Sequence, residues 1–298
     1  MGPGVVDAHV HLAFGAPDAL LAGGVVAARD LGAPPGLVAA LRARSGPPVL
    51  RLAGPVLTAP GGYPSRTWGA DDFSLGLADP AAAREAVRAL AADGVDAVKV
   101  AVEPAGGAPV PSRAVLAAVV GAAHDAGLPV VAHALTVAAV ERVLDAGVEE
   151  LAHTPVERLP EELVDRVASA GVAVVSTLQT LVEQADATAG EEPARNAADL
   201  VAAGVLLVHG TDLGNAGTRP GVDPRELDRL ADAGLGRAGA LRAATSGAAA
   251  LLGLPSGVAV GQPAAAVVLP ADPLVSPEAW RAPVAVVAGG RLAGAVSR

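Results

Sequence analysis

The 298-residue chain has no cysteine, which removes disulfides and thiolate metal sites, so any metal has to be held by His, Asp, Glu or a modified side chain. Isoleucine is absent as well, aromatic residues make up only 2%, and a single lysine, Lys99, stands against twenty arginines. An excess of basic charge is also missing. The net charge of −10 argues against a nucleic-acid surface and against a polybasic membrane patch. No apolar run approaches the length of a membrane span, and no basic segment followed by an apolar one opens the chain. The expectation is a cytoplasmic protein whose partner is a small-molecule substrate, with neither nucleic acid nor membrane involved. An apolar fraction of 52% excludes disorder, and the length suits one α/β barrel with an appendage or two average domains.

Short Val-rich runs alternate along the chain with longer segments of helical period, many ended by a Gly that reads as a helix C-cap. Eight runs read as strands: Val5 to His9, Val25 to Asp30, Val49 to Ala53, Ala97 to Val102, Val130 to Ala134, Glu150 to His153, Ala173 to Thr177 and Leu206 to Thr211. Helices are predicted over Pro80 to Asp93, Ser112 to Ala126, Thr136 to Ala146 and Pro160 to Ala170. Eight strand-helix units in about 240 residues is the arithmetic of a TIM (β/α)8 barrel. A doubly wound sheet is the alternative, and no Gly-rich phosphate turn follows the first strand to support it. The barrel is expected over residues 1–252. Residues 253–298 read as a small C-terminal β subdomain, with Ala264 to Leu269 and Val284 to Ala288 as strands and Gly289-Gly290 as a hairpin turn. The segment Gly54 to Ala78 is expected to be an irregular active-site loop.

Lys99 lies in the apolar run Asp96 to Val102. In a composition that favours arginine, a lysine inside a strand points to chemistry arginine lacks: only a primary amine can lose its proton when buried and react with a carbonyl or with carbon dioxide. Alternation turns Ala97, Lys99 and Ala101 to one face, toward the barrel interior. His9 and His11 flank Val10 on one face of the first strand; His133 and His153 end the fifth and sixth strands, and Asp212 follows the eighth. Barrel active sites are built at these C-terminal strand ends. Any one such histidine is as readily a satisfied core residue, but the ordered set of four His, one Asp and the only Lys points to a metal centre. His124, on a helix, reads as structural. His209 falls on the face opposite Asp212 and is assigned toward the helices.

Val6-Asp7-Ala8-His9-Val10-His11, Val98-Lys99-Val100, Val131-Ala132-His133-Ala134, Leu151-Ala152-His153-Thr154 and His209-Gly210-Thr211-Asp212 together resemble the signature of the amidohydrolase superfamily, in the branch of Xaa-Pro dipeptidases (prolidases) and imidazolonepropionase. The resemblance extends over nearly the whole chain. It implies two divalent metal ions, zinc by expectation, bridged by a carboxylated Lys99. His9, His11 and Asp212 would complete one metal's ligands, and His133 with His153 would bind the other. Asp212, Lys99 and His153 are the catalytic residues so implied, with Asp212 as general base and acid for hydrolysis of a C–N bond in an amide, dipeptide or cyclic amide. A lactonase or phosphotriesterase-like hydrolase on the same centre is the alternative. Mononuclear deamination is disfavoured because one metal needs no bridge, and a non-catalytic barrel because every ligand type is present. Relatives usually carry several dozen residues before the His-x-His strand, as half of a β-sandwich. Here the sandwich is expected to be reduced, its open edge covered by a second copy in a homo-oligomer, unless residues precede this start.

For substrate binding, Tyr63, Arg66, Arg158 and Arg219 lie in segments that follow strands and so flank the mouth of the barrel; an Arg there would clamp a carboxylate. Leu178, Leu181 and Leu213 suggest a partly apolar pocket.

Overall fold

The computed structural model describes all residues except 185–190, 256, 259 and 294–298, so the end of the expected C-terminal subdomain lies outside the described residues. The strands are β1 (Gly2–Pro3), β2 (Val5–Val10), β3 (Val25–Asp30), β4 (Val49–Leu52), β5 (Val56–Thr58), β6 (Ser74–Gly76), β7 (Val98–Ala101), β8 (Val130–His133), β9 (Glu150–Leu151), β10 (Ala173–Val175), β11 (Leu207–Val208), β12 (Ala265–Val268), β13 (Ala285–Ala288) and β14 (Arg291–Ala293). β2, β3 and β4 form one parallel sheet, and a seven-stranded parallel sheet runs in the order β11-β10-β9-β8-β7-β5-β6. Individual hydrogen bonds join the two. At one junction Ala8 N–H donates to the His209 carbonyl (3.1 Å) and Asp212 N–H to the His9 carbonyl (2.8 Å); at the other, Asp96 N–H donates to the Leu52 carbonyl (2.7 Å). The fold is α/β and TIM-barrel-like.

Parallel strands with helices outside and side chains inside are buried on both faces, which is why they read as continuous Val-rich runs. Val98 and Val100 pack outward into the main core, while Leu31, Ala53, Ala97, Val131 and Ala152, in or next to β3, β4, β7, β8 and β9, make a separate small cluster. The helices end as their sequences dictate. In Pro80–Ala92 the Asp79 carboxylate accepts from Ala81 and Ala82 N–H (2.8 and 2.9 Å), Pro80 fits a first turn that needs no N–H, and Gly94 follows at φ +73°. Removing such a cap costs about 1 kcal/mol. In Val137–Ala146, Ala139, Val140 and Val143 are buried, and Gly147 closes the helix at φ +84°. Among the described residues no helix is long and apolar enough to cross a membrane.

Two expectations change. The segment from Gly54 to Ala78 is not wholly irregular, because β5 and β6 lie within it and extend the sheet beyond β7. Three-residue strands are too short to show a period in the sequence. The C-terminal sheet, ordered β1-β12-β13-β14, also takes its first strand from the chain's beginning: Gly2 and Pro3 pair antiparallel with Val267 and Ala266. This sheet therefore crosses the boundary expected at residue 252. Gly289 and Gly290, at φ +55° and +75°, make the tight turn between β13 and β14 that needs left-handed residues.

Candidate metal centre

His9, His11, Lys99, His133, His153 and Asp212 line one cavity of about 340 Å³ at the C-terminal ends of the parallel strands. His9 projects from β2 and His11 from the extended residue just past its end, to the same side as a period of two requires, with their Nε2 atoms 3.3 Å apart. Asp212 Oδ1 lies 3.3 Å from each of those nitrogens, so His9, His11 and Asp212 can present three ligand atoms within 4.8 Å of one another. His153 packs against His9 and His133, its ring centroid 4.7 Å from that of His9 and 4.8 Å from that of His133.

Local bonds fix these side chains. His9 Nδ1 contacts the Ala152 carbonyl (2.9 Å) and His153 Nδ1 the Thr177 hydroxyl (3.0 Å), which leaves Nε2 of each as the candidate metal-ligand atom. Asp30 accepts from Leu12 and Gly32 N–H (2.6 and 3.0 Å) and so pins the chain where it leaves β2. His153 and Asp212 both lie beyond their strands, which end at Leu151 and Val208. Strand alternation does not govern them. Asp212 instead takes φ +52° and Thr177 φ +46°, left-handed conformations that side chains other than Gly seldom adopt and that gather at functional sites.

Burial sets the protonation states. Desolvation lowers His133 to about 3, and the same cause, reinforced by neighbouring Lys99 and imidazoles, holds His9 and His153 well below the usual histidine value. Neutral imidazoles are the form that binds metal. Lys99, 3% exposed, is lowered to about 7, first by desolvation; Asp212 and Glu150 oppose the shift and Arg29 adds to it. Glu150 and Arg29 are themselves a buried ion pair (2.6 Å).

Among the described residues, three buried polar atoms in this cavity have no hydrogen-bond partner: Lys99 Nζ, Asp212 Oδ1 and His11 Nδ1. Burying such groups unpaired costs several kcal/mol in general, and native structures keep few of them. The donor set of imidazoles, carboxylate and one amine fits a divalent cation, and the orphaned atoms are where ligation would satisfy it.

The remaining sequence candidates divide. Tyr63 lines the cavity, its ring 4.8 Å from that of His133, and Leu181 lines it too, whereas Leu178 and Leu213 are buried in the core. Arg66, Arg158 and Arg219 are not among the lining residues. Arg158 is committed to Asp199 (2.5 Å) and Asn196 (3.2 Å), the Arg66 guanidinium folds over Gly61, and Arg219 is exposed on its loop. His209 is buried away from the cavity with Nδ1 3.2 Å from the Val6 carbonyl, and His124 pairs with Glu149 at the surface. Glu103 and Trp68 line the cavity without having been singled out in the sequence. Glu103 shares the alternation of Lys99 and Ala101, so its parity was a usable signal; Trp68 reaches His11 (ring centroids 4.7 Å) only through the fold of its loop.

A model of the amidohydrolase family matches residues 1–293. A solved Xaa-Pro dipeptidase with methionine bound in the active site is similar at a TM-score of 0.82 and 21% identity, over 97% of this chain and 86% of that one. A prolidase complexed with N-methylphosphonate-L-proline gives 0.79 and 23%, over 98% and 86%. The ochratoxinase of A. niger gives 0.80 and 20%, over 98% and 82%. No curated protein sequence matches the chain.

Proposed function

This chain belongs to the amidohydrolase family and is a hydrolase of that type, and on that premise we propose that it cleaves a C–N bond in an amide, dipeptide or cyclic amide at a binuclear metal centre. The carrying observation is the Lys99 amine, buried, without a partner and walled in by histidines. Lowered to about 7, it is substantially neutral at working pH and so able to add carbon dioxide. The carbamate is an anion with two oxygens, and it would hold two ions where an ammonium would repel them. His9, His11 and Asp212 would ligate one ion and His133 with His153 the other, zinc in both cases.

Bound there, two divalent ions supply Lewis acidity and an ionised water at neutral pH. The chain's own residues do the rest. Asp212, whose Oδ1 is unpartnered, accepts the proton of the attacking water and passes it to the leaving nitrogen as the C–N bond breaks. Thr177 holds the His153 ring, and Tyr63 with Trp68 walls the substrate side and limits water. Support for C–N chemistry comes from the family and from the prolidase and ochratoxinase neighbours.

Metal analysis together with anomalous scattering at the barrel mouth tests the centre, with two ions per chain and extra density at the end of Lys99 expected. A screen of N-acyl amino acids, Xaa-Pro dipeptides, lactams and lactones tests the bond. Turnover confined to lactones would replace the C–N reading with an esterase-type one.

A further inference from the structure

The cavity is singular in what it gathers. The chain contains five aromatic residues, and Phe14, Tyr63 and Trp68 line this one cavity while Phe73 stacks on Phe14 (5.9 Å) and meets the edge of Trp68 (6.4 Å). Among the described residues the main core is built of Val, Leu and Ala with Trp280 as its one aromatic, so core packing does not explain the concentration. Trp68 Nε1 donates to the Tyr63 hydroxyl (3.1 Å), which fixes the two rings as one wall. Aromatic faces of this kind attract apolar groups and cations alike.

Glu103 supplies the charge beside that wall. It is 6% exposed, and its Oε2 accepts from Leu135 and Thr136 N–H (2.7 and 3.2 Å). Those two bonds account for a role in holding the start of the following helix, and they involve one oxygen only. Among the described residues nothing donates to Oε1, and no Arg, Lys or His lies in ion-pair contact with the carboxylate. Among the described residues no arginine lines the cavity, and the basic amine that does, Lys99, belongs to the proposed centre. Burial raises the Tyr63 phenol, and the charges of Asp212 and Glu103 add to that, so these groups share one electrostatic environment.

Resting on the C–N hydrolase reading, we propose that the substrate is an amide with an apolar or aromatic body that carries a protonated amine and no carboxylate, the ammonium seated between Glu103 and the Tyr63–Trp68 wall. A buried carboxylate with a free oxygen is a receptor for a cation. A carboxylate-bearing substrate would find no guanidinium to clamp it and would meet Glu103 as a like charge.

The test uses the metal-loaded protein and three substrates on one scaffold: phenylalanine anilide, its N-acetyl derivative, and the dipeptide phenylalanyl-proline. The free-amine anilide is expected to exceed the other two in kcat/KM by about tenfold or more. In Glu103→Gln the amide oxygen can still accept from Leu135 and Thr136 while its NH2 replaces the free carboxylate oxygen, so the amine-to-acetyl ratio should collapse toward one. A role confined to holding the helix would lower both substrates alike and leave the ratio intact, which overturns the proposal, as does preference for the acetylated anilide or the dipeptide. Phenethylamine, which has no scissile bond, reports on the ammonium subsite alone by calorimetry. Should no amide be cleaved, the C–N reading fails, and binding of phenethylamine that weakens about tenfold in Glu103→Gln still upholds the subsite; absent or Glu103-independent binding sinks it.

Discussion

The Thr211 hydroxyl donates to Asp7 Oδ2 over 2.6 Å, and this bond fastens the loop carrying Asp212 to the strand carrying His9 and His11. Asp7 Oδ1 adds bonds from Thr211 N–H (3.0 Å) and His9 N–H (3.1 Å), so one fully buried carboxylate grips both halves of the His-His-Asp group. Burial pushes Asp7 up, while the nearby His209 and the Thr211 bonds resist. The clamp also bears on Asp212, whose left-handed backbone represents strain of about 1–3 kcal/mol and persists only where its surroundings enforce it.

Thr211→Val keeps the shape and removes the donor. Asp7 Oδ2 is then left short of a partner in a buried site, so the metal-free protein should lose about 1–3 kcal/mol in denaturant unfolding. Metal affinity should weaken about 10- to 100-fold, because groups that orient ligands contribute on that scale. A metal titration with unchanged affinity would show that the Asp212 loop is held without Asp7.

Lys99→Ala and Lys99→Arg should both retain less than the two metal equivalents expected of the wild type and lose hydrolysis by about three orders of magnitude or more. Bicarbonate or a short carboxylic acid should partly restore the alanine variant and leave the arginine variant inactive, since the guanidinium fills the space and cannot form a carbamate. Chelation of the wild type should abolish turnover and lower Tm, with both recovered on adding zinc. One metal per chain with full activity in Lys99→Arg would end the binuclear reading.

Metal-free, uncarboxylated protein should gain stability with pH over two separate ranges. Unfolded Lys99 keeps its proton up to 10.5 and the folded residue only to about 7, so between those values the unfolded chain binds more protons and stability rises with pH, by at most on the order of 5 kcal/mol. Below pH 7 both forms are protonated and the burial penalty is present in full. His133 acts in the same sense between about 3 and 6.5, where only the unfolded residue binds a proton, and His9 and His153 steepen that acid limb. Thermal melts across pH 4 to 10 should show both limbs, and Lys99→Met should remove the alkaline one while weakening the acid one, because the Lys99 charge adds to desolvation in lowering the histidines.

The gathering of six side chains into one cavity was legible because three of them, His9, Lys99 and His133, sit within strands where a period of two fixes direction, and His11, one residue past the end of β2, keeps an extended backbone that continues it. His153 and Asp212 reach the same cavity by a different route. They lie past the ends of β9 and β11, where backbone bends and a positive φ aim the side chains, and alternation says nothing there. His209, one turn earlier in the same loop, does obey parity and faces away. The arginines failed as mouth residues for a reason local patterns do not carry: Arg158 meets Asp199, forty-one positions on, and that pairing is tertiary. Likewise β1 joins β12 across almost the whole chain, through two residues that bear no strand signal of their own.

Gly32 offers the sharpest mutational probe of how closely the metal site is packed. A Cβ added there would lie 3.1 Å from His11 Cε1 and Nδ1 and 3.2 Å from the Trp68 ring, closer than side chains normally approach, yet Gly32 has no positive φ that would itself forbid alanine. The crowding must therefore be relieved by His11 or Trp68. His11 is tied through its backbone, N–H to the Leu213 carbonyl at 2.8 Å, so its ring rather than its main chain has to move. Gly32→Ala should consequently weaken metal binding by about tenfold or more while changing the unfolding free energy of the metal-free protein by less than about 1 kcal/mol. If Trp68 yields instead, metal affinity stays at the wild-type value and the fluorescence of Trp68 shifts, which a parallel titration and emission spectrum would distinguish.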